Sequence, residues 1–276
     1  MKRVLYRAWL LAALACLSSL ANAQALPVSV GITGNVANIR IGSSTAPMAD
    51  VILTFDSATG LSAASLGVSA RQIDITQPVI LSRLPNTLVK LNSAFPVMVT
   101  IEPPSTGGLV QRRVTHVEVH THLLAYSAGS TFRLFKAQIG QPFRDITTEV
   151  APGSVRTRGT TPGWSQFLIV ADLRPTSVVI DEKYAYLRTK LALLSSTERA
   201  PLASLLDASE DALADGNYGL AAAKLESFRA RVSTRAGTAI PDVWKATRDV
   251  TNIAGELLSG ADSLLFSIGY LRDFGR

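Results

Sequence analysis

All three histidines of this chain fall within seven residues, His116-Val117-Glu118-Val119-His120-Thr121-His122. Side chains alternate faces along an extended strand. His116, Glu118, His120 and His122 therefore share one side, and Val117, Val119 and Thr121 the other. Three imidazoles and a carboxylate are ligand types for zinc or copper. Same-face neighbours stand about 6.5–7 Å apart, and ligand atoms must come within about 2 Å of an ion. Two neighbours can converge on one metal if they lean inward; four in a row cannot without a bend. The competing reading is a polar, solvent-facing strand surface with no cofactor.

Other chemistry is sparse. There is no Gly-x-Ser-x-Gly elbow, no His-Glu-x-x-His and no glycine-rich phosphate loop. A distant carboxylate pair could still meet in a cleft, as in glycosidases. Asp56 and Asp172 read as turn formers or caps. Asp207, Glu210, Asp211 and Asp215 read as a solvated helix face without calcium-loop spacing. Trp164 follows Pro162-Gly163 and closes a stretch that begins with Arg156-Thr157-Arg158. Arg156, Arg158 and Trp164 are the candidate ligand contacts, because binding residues gather on loops at the ends of sheet scaffolds. An indole there either stacks on a ligand or covers the end of the core.

The elements that would position these residues come in two blocks behind a leader. Lys2, Arg3 and Arg7 precede an apolar run from Ala8 to Leu17, and Ala21-Asn22-Ala23 supplies small residues at peptidase spacing. This is the pattern of a secretory signal cleaved between Ala23 and Gln24. Cys16, the single cysteine, lies inside it, so the mature chain has no thiol. A lipid anchor on Cys16 is the alternative reading of Ala13-Leu14-Ala15-Cys16. No mature segment reads as membrane-spanning. Of 27 basic and 21 acidic residues, three basic ones belong to the leader, leaving 24 against 21. So mild an excess argues against a nucleic-acid binder.

Residues 24–174 alternate in short runs broken by Gly, Pro, Ser and Thr, which predicts a β-sandwich. Residues 175–276 switch to a helical period. Ile180, Tyr184, Leu187, Leu191 and Leu194 form one stripe. Leu202, Leu205, Leu206, Ala212 and Leu213 form a second, and Tyr218, Ala222, Leu225, Phe228 and Val232 a third. The fourth is long: Val243, Ala246, Val250, Ile253, Leu257, Ala261, Leu264 and Ile268. Thr197 and Asn217 are expected caps of the second and third helices, and Pro241 suits the first turn of the fourth. Trp244 then falls early in that helix. The fold expected is an immunoglobulin/cohesin-like sandwich followed by an all-α four-helix bundle.

Asp50-Val51-Ile52-Leu53-Thr54-Phe55-Asp56 through Gly60-Leu61 resembles the opening of cohesin-like exported sandwiches. Four further stretches resemble a family of exported bacterial proteins with no assigned activity or site. They are Phe95 through Pro104, Phe135-Lys136-Ala137, Phe143-Arg144-Asp145-Ile146-Thr147 and Phe167 through Arg174. Leu213 to Phe228 and Ile240 to Leu265 are similar to FIMAH, a helical module of secreted adhesins and glycan-acting enzymes. The resemblance implies a sandwich followed by helices. Together these readings describe a secreted or periplasmic, non-enzymatic binding or adhesion-type protein. Its partner would be a protein or glycan of the cell envelope or extracellular space. The alternatives are an extracytoplasmic hydrolase, a metal-binding protein using His116–His122, and a structural subunit assembling through its helices.

Overall fold

A computed structural model describes residues 24–275, so the expected leader, with Cys16 and Ala23, lies outside it and Gln24 is the first described residue. The chain forms two antiparallel sheets and a set of C-terminal helices. One sheet contains β1 (Ala25–Leu26), β5 (Val68–Gln72), β7 (Val97–Ile101), β13 (Gln166–Asp172), β9 (Phe132–Ala137) and β10 (Arg144–Asp145), in that spatial order. β6 (Val89–Leu91) also pairs with β13. The other runs β11 (Thr147–Ala151), β12 (Ser154–Thr161), β8 (Val110–Ala125), β4 (Pro47–Thr59), β3 (Val36–Gly42) and β2 (Val28–Thr33).

The alternation dictates how the sheets meet. Ile39 and Ile41 of β3, Val51 and Leu53 of β4, and Val117 and Val119 of β8 bury one face of the second sheet. Val97, Val99, Leu134, Phe167 and Ile169 answer from the first. Each such side chain contributes about 1.5–3 kcal/mol when fully buried, which is how the layers hold together with no cysteine among the described residues. The first sheet is apolar on its other face too. Met98, Phe135, Leu168 and Val170 pack there with Ile80 of a short helix, α2 (Pro78–Leu81), and Val89 of β6. The excursion between β5 and β7 therefore serves as a cover. The single turn predicted near Ser62 is α1 (Ala63–Leu66), closed by a Ser62/Ser65 capping box.

The helices are α3 (Thr176–Leu191), α4 (Ser196–Ala214), α5 (Tyr218–Arg235) and α6 (Ile253–Phe274). Their stripes meet in one cluster that includes Tyr184, Leu187, Leu206, Leu225, Phe228, Leu257 and Leu264. Asn217 caps α5 by accepting from the Leu220 N–H at 3.0 Å. α4 begins before Thr197, with Ser195 at its N-cap. None of the described helices is long and apolar enough to cross a membrane.

The fourth helix starts later than its periodicity predicts. Val243–Lys245 is a strand, β14, which pairs with Val110–Arg112 of β8. Pro241 precedes this strand, and the helix starts at Ile253 with Asn252 as its cap, accepting from the Gly255 N–H at 2.8 Å. Two side chains that flank the segment decide this, through the backbone of the neighbouring strand β8. The Asp242 carboxylate accepts from the Arg113 N–H at 2.7 Å, and the Asn252 amide donates to the Arg113 carbonyl at 2.6 Å. These two bonds fasten both ends of the 243–251 segment to β8 before α6 can begin. α6 then packs on α3 and α5 and also on β8, β11 and β12.

Candidate functional site

β9 carries an anomaly within its alternation. Phe132 and Leu134 point into the inter-sheet core, and Phe135 and Ala137 into the outer cluster. Lys136 has the inward parity, where an apolar residue is expected, and is only 6% exposed. Burial pushes its ammonium down to about 7. The nearby Glu256 carboxylate opposes that shift, and Arg144 and Lys190 add to it.

Lys136 lines a cleft of about 360 Å³ at one end of the paired sheets. Five segments remote in sequence enclose it: the residue after β7, the end of β9, the turn between β12 and β13, β14 with the following loop, and the first turn of α6. Trp164 comes from the turn and is 7% exposed. Its ring packs on Phe55 with centroids 5.5 Å apart, and its Nε1–H is buried without an acceptor. Trp244 comes from β14 and lies directly on Gly163. A Cβ at residue 163 would stand 2.7 Å from the indole Cδ1 and Nε1, so glycine is what lets the ring approach. Asn252 braces the wall by donating also to the Pro162 carbonyl at 3.3 Å.

Both carboxylates of the cleft already have partners. Glu256 accepts from the Tyr186 hydroxyl, meets Arg144 at 3.4 Å and lies 3.9 Å from Lys190. Arg144 is held over the Tyr186 ring, 4.2 Å from its centroid. Glu102 is paired with Arg248. Lys136 takes part in none of these pairs, and no hydrogen bond contributes to the shift of its ammonium.

The histidine strand is β8, and its alternation is as expected. Val117, Val119 and Thr121 are buried, while His116, Glu118, His120 and His122 lie on the outward side. They are tied to different neighbours. His116 Nε2 meets Asp56 at 3.3 Å, and His120 Nε2 meets the Ser154 hydroxyl at 2.6 Å. Glu118 lies 2.6 Å from Arg158 and 3.7 Å from Arg156. The His120 and His122 rings touch edge to face with centroids 4.4 Å apart. Among the described residues no three His, Cys, Asp or Glu side chains converge to hold a metal ion. The Asp56 hydrogen bond raises the His116 value despite partial burial. Burial would raise Asp56, but His116 and the Val114 N–H together bring it down.

The structure separates the three candidate ligand contacts. Arg156 and Arg158 belong to the outward face of β12 beside Glu118, and Arg158 also pairs with Glu149 at 2.6 Å. Trp164 turns inward to the cleft. Sequence reasoning missed Lys136, Trp244 and Glu256. The signal for Lys136 was present: a lysine in register with Phe132 and Leu134. Trp244 was hidden because its partner strand lies over 130 residues away.

A family model matches residues 11–272. The chain belongs to a family of unknown function, DUF6689. That membership covers both sheets and nearly all of the helical part, so the cleft, built from both, falls wholly within the family's span. No curated protein and no solved structure matches the chain.

Proposed function

We propose that this DUF6689 member is an exported, non-enzymatic binding protein of the periplasm or extracellular space, and that the cleft around Lys136, Trp164 and Trp244 receives its ligand. In this reading the sheets form an immunoglobulin/cohesin-like sandwich and the helices a FIMAH-like four-helix bundle. The bundle closes the binding site and does not trail behind it. The partner is a glycan or protein of the cell envelope or extracellular space.

One observation carries the proposal: a preformed cavity of about 360 Å³ with two indoles and an amine that has no ion-pair partner among the described residues, built from remote segments. That volume lies within the range of small-ligand pockets. Binding is favoured over hydrolysis because the two carboxylates lining the cleft, Glu102 and Glu256, are already engaged by arginine, lysine and tyrosine. A general acid–base pair needs a carboxyl group open to the substrate. The metal-binding alternative has less support, since His116, Glu118 and His120 are each engaged by a different neighbour.

The test is retention on immobilised envelope polysaccharides and secreted proteins, comparing the native chain with Thr251→Trp, which fills the cleft from its rim. A partner held by the native chain and released by T251W supports the reading. A partner held equally by both, or steady turnover of a polymer, overturns it.

A further inference from the structure

The charges around the cleft do not balance. Lys136 comes from β9, Arg144 from β10, Lys190 from α3 and Arg248 from the loop after β14. Against these four cations stand Glu256 of α6 and Glu102 after β7. Glu256 is shared by Arg144, Lys190 and the Tyr186 hydroxyl, and Glu102 is taken by Arg248. Two cations are in excess, and the one that contacts neither carboxylate among the described residues is Lys136. Ammonium groups this buried are normally paired. What Lys136 lacks is a negative charge, and the side from which one can be delivered is the cleft.

The rest of the lining describes the body attached to that charge. Gln138 and Thr251 put neutral hydrogen-bonding groups around the cavity, and Trp244 supplies an aromatic wall. An aliphatic acid would leave the polar groups unmatched, and a neutral sugar would leave the amine unmatched. The volume holds about one or two sugar rings, given the usual size of such pockets.

We propose that the cleft binds a sugar acid, a hydroxylated ring bearing one carboxylate, with the carboxylate on Lys136 Nζ and the ring against Trp244. This rests on the reading that the cleft is the ligand site, and it names the chemical class of that ligand. It also couples binding to protons. The carboxylate requires the ammonium form, and burial with Arg144 and Lys190 nearby keeps the empty-site amine at about 7, against the pull of Glu256. Binding therefore draws in a proton near neutrality, and affinity falls by about tenfold from pH 6 to pH 8.

The experiment is calorimetric titration of the full chain with galacturonate and with galactose, which differ at one carbon by a carboxylate. Titrations are run at pH 6 and pH 8 on the native chain, Lys136→Met, Lys136→Arg and Thr251→Trp, with circular dichroism to check that each variant is folded. Expected are saturable galacturonate binding at pH 6, at least tenfold weaker galactose binding, and about a tenfold loss by pH 8. K136M should reduce galacturonate to the level of galactose. K136R should bind it without the loss at pH 8, because guanidinium does not titrate there. Galacturonate binding no tighter than galactose, no galacturonate binding at millimolar concentration, or native-like binding by a folded K136M overturns the proposal. If neutral saccharides bind and T251W abolishes that binding, the cleft is still the ligand site and only the acid requirement fails. If saccharides bind and T251W leaves them bound, the site itself is misplaced.

Discussion

Substituting Lys183 by Met should show how firmly the helices are fixed to the sheets. Lys183 of α3 reaches across to β10, and its side chain and that of Asp145 are 8% and 3% exposed. Its ammonium donates all three protons: to Asp145 Oδ2 at 2.7 Å, the Ser263 carbonyl at 2.8 Å and the Ser267 hydroxyl at 2.8 Å. The other Asp145 oxygen accepts from the Thr147 N–H at 2.8 Å and the Thr147 hydroxyl at 2.5 Å. Burial would raise the Asp145 carboxyl, and Lys183 with Arg133 holds it below its ordinary value. K183M leaves that carboxylate buried without its main counter-charge, a loss of about 3–5 kcal/mol. For a chain of this size the urea midpoint should fall by roughly 1–2 M. The deficit should depend on pH. In K183M burial lifts the folded value of Asp145 above its unfolded one, so the penalty is largest at neutral pH and fades as pH falls toward 4. The native pair also loses its contribution on acidification, so the two curves converge. Lys183→Met combined with Asp145→Asn should recover more than half of the loss, because no charge is then stranded. A K183M deficit below about 1 kcal/mol that does not vary with pH would refute the reasoning.

Three further outcomes follow from the same structure. Lys136→Met should flatten part of the pH–stability curve. The folded ammonium titrates at about 7 and the unfolded one at 10.5, so the native chain gains about 2–3 kcal/mol from pH 6 to 9 that K136M lacks, read by urea unfolding at each pH. The imidazole of His116 should titrate above the ordinary histidine value by NMR and drop back in Asp56→Asn. Its contribution to stability is present below that ordinary value and lost as pH rises through the folded one. Gly255→Ala should cost about 1–3 kcal/mol, because the new Cβ would stand 2.4 Å from the Arg113 carbonyl where α6 meets β8. Gly269→Ala, with nothing within 4 Å, should leave stability unchanged or raise it by up to about 1 kcal/mol in thermal melts.

Most strands were legible because each inner face buries every second residue, so Val117, Val119 and Thr121 announce both a strand and its orientation. The stripes of α3, α4 and α5 were legible for the matching helical reason. β14 was not. The spacing of Val243, Ala246 and Val250 fits a helix as well as the true helix does, and the bonds that decide otherwise come from Arg113, remote in sequence. The outward set His116, Glu118, His120 and His122 was placed on the right face. A local pattern, however, cannot show that Asp56, Ser154 and Arg158 reach three of them first. Trp164 was noticed for its turn. Its meaning depends on Trp244 and Lys136, which join it only once the two sheets and α6 are assembled.

The account depends on Lys136 standing in the cleft as an amine without a carboxylate partner among the described residues. NMR titration of its Cε and Nζ resonances, assigned by comparison with Lys136→Arg, measures this directly. The structure requires an inflection near pH 7, moved upward when galacturonate is bound; an inflection above pH 10, unmoved by the sugar acid, would contradict it.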